Sequence, residues 1–130
     1  MTNTSKALDR FFNSFGIPAF VEYSVPETIT IDGNEVRVKP PYITYQQIEP
    51  AIGERASMYA RVWYRSIGFE AINAKTDEIG AAIGAGVSIP TDNGCVWLYK
   101  DRNWAQNQPM EGDDTLKVKY LSLIINALTD

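Results

Sequence analysis

A chain of 130 residues, 45% hydrophobic and 22% charged, is near the common size of one domain and long enough to bury its own core. Sixteen acidic residues against twelve basic ones, a net charge of −4, argue against a nucleic-acid binder held by a general basic field. Histidine is absent, which removes the commonest general base and the commonest metal ligand together. No apolar run approaches the roughly 20 residues that span a bilayer, and Met1–Lys6 lacks the basic-then-apolar start of a secretory signal. No membrane partner is therefore expected, and the single cysteine, which permits no intrachain disulfide, fits a reducing compartment.

Taken in chain order, the first element is a short helix over Ser5–Phe15. Leu8, Phe11, Phe12 and Phe15 recur there at i, i+3, i+4 and i+7, with Thr4 or Ser5 as the cap. Gly16 suits the left-handed position after a helix, and Pro18 blocks continuation. So short a helix is marginal alone, so its phenylalanine stripe must dock on something.

Ala19–Tyr23 reads as a short strand. Thr28–Ile31 and Glu35–Lys39 are alternating β-branched runs joined through Asp32-Gly33, a strong hairpin signal. Ile29, Ile31, Val36 and Val38 form its small apolar set, and prolines bracket it at Pro26 and Pro40. Two strands of about four residues are marginal in water, so a projecting arm stabilised by a neighbouring molecule is expected. Tyr42–Ile48 is a further strand, and Pro50–Arg55 a connection.

Ser57–Ser66 sets Met58, Ala60, Val62 and Tyr64 on one sheet face and Tyr59, Arg61, Trp63 and Arg65 on the other. Phe69–Gly84 follows as an amphipathic helix with Ile72, Thr76, Ile79 and Ile83 in one stripe. That stripe belongs over the Val62 face. The opposite face, Tyr59, Arg61, Trp63 and Arg65, is too aromatic for plain solvent and too charged for a core, so it reads as a protein contact surface. Val87–Ile89 and Cys95–Tyr99 form a second hairpin turning at Asn93-Gly94, and Lys100–Asp114 reads as a polar, mobile loop exposing Trp104. Thr115–Leu128 is a long strand whose apolar parity shifts near Tyr120–Leu121, which calls for a bulge or for burial on both faces.

The implied architecture is α+β over residues 1–130. It is a twisted, mostly antiparallel sheet of about five or six strands with two helices on one face, plus a projecting β-hairpin.

Catalytic and cofactor chemistry finds no support. Cys95 has no histidine to activate it and reads as a small hydrophobe. The glycines of Gly80–Gly86 follow a helix where a phosphate loop would open one. Asp77-Glu78 fits a solvated helix face, and Asp113-Asp114 a turn or cap-like entry into the last strand. No catalytic, cofactor-binding or metal residue is expected, and no enzyme. A small-molecule or nucleotide module using the aromatic face is the alternative class.

Four stretches in this order resemble a known family: Phe11–Pro18, Pro41–Tyr45, Ala60–Ser66 leading into Ile72–Lys75, and Trp104–Gln106 before Asp113-Asp114. Together they are similar to the small tail-terminator, or tail-completion, proteins of long-tailed bacteriophages and prophages. The resemblance implies a structural subunit of the virion tail, assembled in the host bacterial cytoplasm. It implies a ring, commonly a hexamer of a protein that is monomeric when free, which caps the tail tube and presents a surface to the head connector. Partners would be further copies, the tail tube protein and the head–tail connector protein, with DNA only as cargo through the ring lumen. A head-completion or connector-adaptor protein is the nearest alternative. Thr28–Lys39 is additional to the family pattern, where a short loop is expected. The interface residues this reading favours are Tyr59, Arg61, Trp63, Arg65, Ile29, Ile31, Val36, Val38 and Trp104.

Overall fold

The computed structural model describes residues 2–129. Helix α1, Asn3–Phe12, begins earlier than its apolar stripe suggests, and its cap is Thr2, whose hydroxyl oxygen accepts from the Ser5 amide at 3.2 Å. Thr4 and Ser5, the expected caps, are buried inside the first turn instead. The helix tightens into a 3-10 turn over Asn13–Phe15 and ends at Gly16 in the left-handed region, φ 82°. Asn13 fixes the exit: its side-chain oxygen accepts from the Ala19 amide at 2.9 Å while its nitrogen donates to the Asp9 carbonyl at 2.8 Å.

The strands are β1 (Ala19–Val21), β2 (Thr28–Ile31), β3 (Asn34–Arg37), β4 (Tyr42–Tyr45), β5 (Arg55–Arg65), β6 (Val87–Thr91), β7 (Gly94–Gln108) and β8 (Leu116–Leu128), with α2 (Glu70–Ile83) between β5 and β6. Six strands form one mixed sheet in the order β1-β4-β5-β8-β7-β6, antiparallel except for β1 alongside β4. β5 and β8 pair without interruption from Arg55–Asn126 to Arg65–Leu116, which makes them the backbone of the sheet.

Both helices lie on one face, so the architecture is the α+β arrangement expected. Ile72, Thr76, Ile79 and Ile83 are all buried, over Met58, Ala60 and Val62 of β5 and Leu121, Leu123 and Ile125 of β8. From α1, Leu8 and Phe12 complete this core, and Phe12 stacks on Tyr45 with ring centroids 4.9 Å apart. Burying a side chain of this size contributes about 1.5–3 kcal/mol, so the face under the helices holds most of the fold's stabilisation.

β2 and β3 form a two-stranded sheet of their own, hydrogen-bonded to each other and not to the six-stranded sheet. Asp32 and Gly33, at φ 51° and 80°, make the two-residue turn, whose paired positive φ values match the strand twist. No residue of either strand is buried.

Three sequence expectations change. β6 and β7 close at Thr91–Gly94, so Asp92-Asn93 is the turn and Gly94 belongs to the strand. A Cβ built at Gly94 would sit 1.9 Å from the Leu128 carbonyl oxygen, so close backbone approach is what requires glycine there. Lys100–Asp114 is not an irregular loop, because β7 continues to Gln108, paired with β8 through Gln108–Val118. The ladder slips between Lys100–Leu123 and Ala105–Leu121, so that residues 101–104 bulge opposite Ser122. The bulge lies on β7, not on β8. β8 keeps straight register and changes parity by burying Val118 on the far face, opposite Trp63.

Candidate protein interface

The helices lie on one face of the sheet and the other carries none, although Val118 and Thr44 on it are buried. Register places Tyr59, Arg61 and Trp63 of β5 on this free face, beside Tyr42 and Thr44 of β4 and Val118, Tyr120 and Ser122 of β8. Beyond them, Trp97 and Gln106 of β7 face the same way. Of the four β5 residues expected to act together, Tyr59, Arg61 and Trp63 lie together and Arg65 does not.

Arg61 is the centre. Its Nη1 donates to Glu22 Oε1 at 2.5 Å and its Nε to Gln108 Oε1 at 2.9 Å. Its guanidinium carbon lies 4.8 Å from the Tyr59 ring centroid and 5.6 Å from that of Tyr120, and those two rings stack at 5.3 Å. The Arg61 side chain is only 17% exposed and that of Glu22 only 9%. The planar guanidinium can meet the carboxylate and lie against the rings at once, which lysine's point charge does less well. Beside this group, Trp63 Nε1 donates to the buried Thr44 hydroxyl at 2.9 Å, and its ring lies 5.9 Å from Tyr42.

Two buried acceptors on this side lack a hydrogen-bond partner, Glu22 Oε2 and Asn126 Oδ1. Burial, and next the Glu22 carboxylate, push the Tyr59 and Tyr42 phenols above their ordinary value, so both rings stay neutral and able to donate at physiological pH.

Arg65 stands apart at the strand end. Its Nη1 donates to Asp113 Oδ2 at 3.0 Å and to Thr115 Oγ1 at 2.8 Å, and the bond to Asp113 is the first cause holding that carboxyl down to about 2. The other Asp113 oxygen accepts from the Thr115 and Leu116 amides, the cap-like entry into β8 that the sequence suggests.

The remaining candidates divide. Ile29, Ile31 and Val36 share one side of the hairpin, with Val38 continuing it, in a sheet separate from the one that carries the Arg61 group. Trp104 is corrected: it is half-buried on the helix side, where its ring would touch a Cβ added at Gly80 of α2 and Lys100 Nζ lies 5.3 Å from its centroid. The polar run around Trp104 gave no sign of this, because the outward residues of a bulged strand carry no alternation. Glu22, Tyr42, Gln108 and Tyr120 were missed as site residues. Tyr120 alone had a signal, its place two residues after Val118 on the parity of the free face.

Among the described residues, no group of three His, Cys, Asp or Glu side chains is placed to hold a metal ion, and no helix is long and apolar enough to cross a membrane. Compared with family models, with curated proteins and with solved structures, the chain finds no match in any of the three.

Proposed function

We propose that this chain is a structural tail-completion subunit of a long-tailed bacteriophage or prophage, which caps the tail tube as a ring and offers a surface for joining the head. The name comes from the resemblance of the four stretches. The physical support comes from one observation, the bare sheet face with Arg61 set among Tyr59, Tyr120, Gln108 and Glu22. Arg, Tyr and Trp concentrated in a half-dry patch are the composition of protein-interface hot spots.

Charge on that face favours protein over polynucleotide. Arg61 is neutralised by Glu22 and Arg65 by Asp113, so neither offers an uncompensated cation to a phosphate backbone. Two depressions on the face, about 170 and 300 Å³, fall at or below the lower end of the roughly 300–1,000 Å³ of small-molecule sites. The partners of this reading are further copies of the chain, the tail tube protein and the head–tail connector protein. DNA passes only as cargo.

The test is a polymerisation assay. Tail tube protein is assembled with and without substoichiometric amounts of this chain, and tube lengths are measured by electron microscopy. Shorter tubes, each carrying the chain at one end, are expected. Unchanged lengths with the chain absent from tube ends would overturn the proposal, and binding to isolated head connectors alone would favour the adaptor reading.

A further inference from the structure

The molecule leaves two β surfaces uncovered. One is the aromatic sheet face just described. The other is one side of the β2–β3 hairpin, where cross-strand register puts Ile29 opposite Val36 and Ile31 opposite Asn34. The hairpin's other side is polar and satisfied within itself, with Thr28 Oγ1 donating to Glu35 Oε1 at 2.8 Å. Its apolar side is partly open, with Ile31 49% and Val36 40% exposed while Ile29 and Val38 are half-buried.

An isolated two-stranded ribbon is marginal in water, and this one has its hydrophobic side facing solvent. We infer that the hairpin of one copy lies apolar side down on the free sheet face of a second copy. The inference deepens the reading of the chain as a self-assembling subunit and rests on it.

Two features select a second copy as the occupant. The charges at the centre of the receiving face are paired internally, so the face suits an uncharged, apolar surface. The hairpin side that would meet it is free of charge within the strands: Ile29, Ile31, Val36 and the amide of Asn34. The contact joins unlike surfaces, so it either repeats head to tail into a ring or filament or is exchanged reciprocally between two copies about a two-fold axis.

Paramagnetic relaxation between copies tests this. A nitroxide is attached to Thr30→Cys, on the hairpin's polar side and outside the proposed contact, in the Cys95→Ala background, and that protein is mixed at millimolar concentration with isotope-labelled chain carrying Cys95→Ala alone. The amides of Tyr59, Trp63, Gln106 and Tyr120 in the labelled copies are expected to lose intensity, while those of Asn73 and Asp77 on the outer side of α2 keep it. Should Thr30→Cys fold poorly, Arg37→Cys carries the label on the same polar side of the hairpin. No intensity loss, or loss centred on α2, overturns the inference. The experiment contains no tail protein, so its result is independent of tube capping: a chain that caps tubes without this contact retires the contact alone.

Discussion

At Gly94 the side chain is excluded by backbone, since the Leu128 carbonyl occupies the place where a Cβ would go. Gly94→Ala is expected to cost about 1–3 kcal/mol by forcing β7 and β8 apart, read as a fall in Tm. At Gly33 an added Cβ would meet nothing within 4 Å, so Gly33→Ala should lose only the roughly 1 kcal/mol of a left-handed backbone. Trp63 is half-buried and hydrogen-bonded to Thr44, so it serves stability as well as contact. Trp63→Ala should cost about 2–3 kcal/mol, less than a fully buried aromatic, and Trp63→Phe about 1 kcal/mol for the lost bond to a buried hydroxyl. Loss of tube capping by Trp63→Phe, beyond what its Tm explains, would mark the indole as an interface group. At Asp113 the folded-state carboxyl is held down to about 2, so its contribution to stability is present above the unfolded value of 3.8 and is lost as pH falls through about 2. Asp113→Asn should therefore lower Tm slightly at neutral pH, less so in high salt because the group is at the surface, and make no difference near pH 2.

Among the elements, those with a strict period were legible. The α2 stripe and the alternation of β5 specify which sides are buried, because one packed face demands that spacing. The β2–β3 turn was legible because Asp-Gly meets a backbone requirement few other pairs satisfy. β7 was not. Only Gly94–Leu98 pairs with β6, and beyond that the strand has one paired neighbour, a bulge, and side chains chosen for water. The contact group was half legible for a related reason: Tyr59, Arg61 and Trp63 share one strand, whereas Glu22 joins them only through the parallel pairing of β1 with β4. Hydrogen exchange should follow the pairing, with Val96 and Leu98 slow and residues 101–104 fast. Replacing Thr28–Lys39 by a short Gly-Ser link should leave Tm nearly unchanged, since the hairpin shares no strand pairing with the main sheet. Failure of that variant to fold would make the hairpin part of the core structure.

For the molecule as a whole, a ring built head to tail predicts association that rises with concentration and does not stop at two. Light scattering across a dilution series is expected to show monomer giving way to larger species. A two-fold dimer unchanged by dilution would contradict the ring.

The position of β8 also bears on how the chain comes into being. It is the last strand in sequence, yet it lies inside the sheet, between β5 and β7. While the protein is being synthesised, β5 and β7 have no partner for the edges that β8 will fill, and α2 has only part of the surface it packs on. A nascent chain lacking residues 116–128 is thus a set of open strand edges, a form prone to aggregation and to capture by chaperones. Folding of the sheet waits for residues 116–128 to leave the ribosome, and the β5–β8 pairing then joins segments far apart in sequence, which favours slow closure. A chain stalled after Gln108 should be protease-sensitive throughout, α2 included, and adding the missing strand as a separate peptide should restore protection.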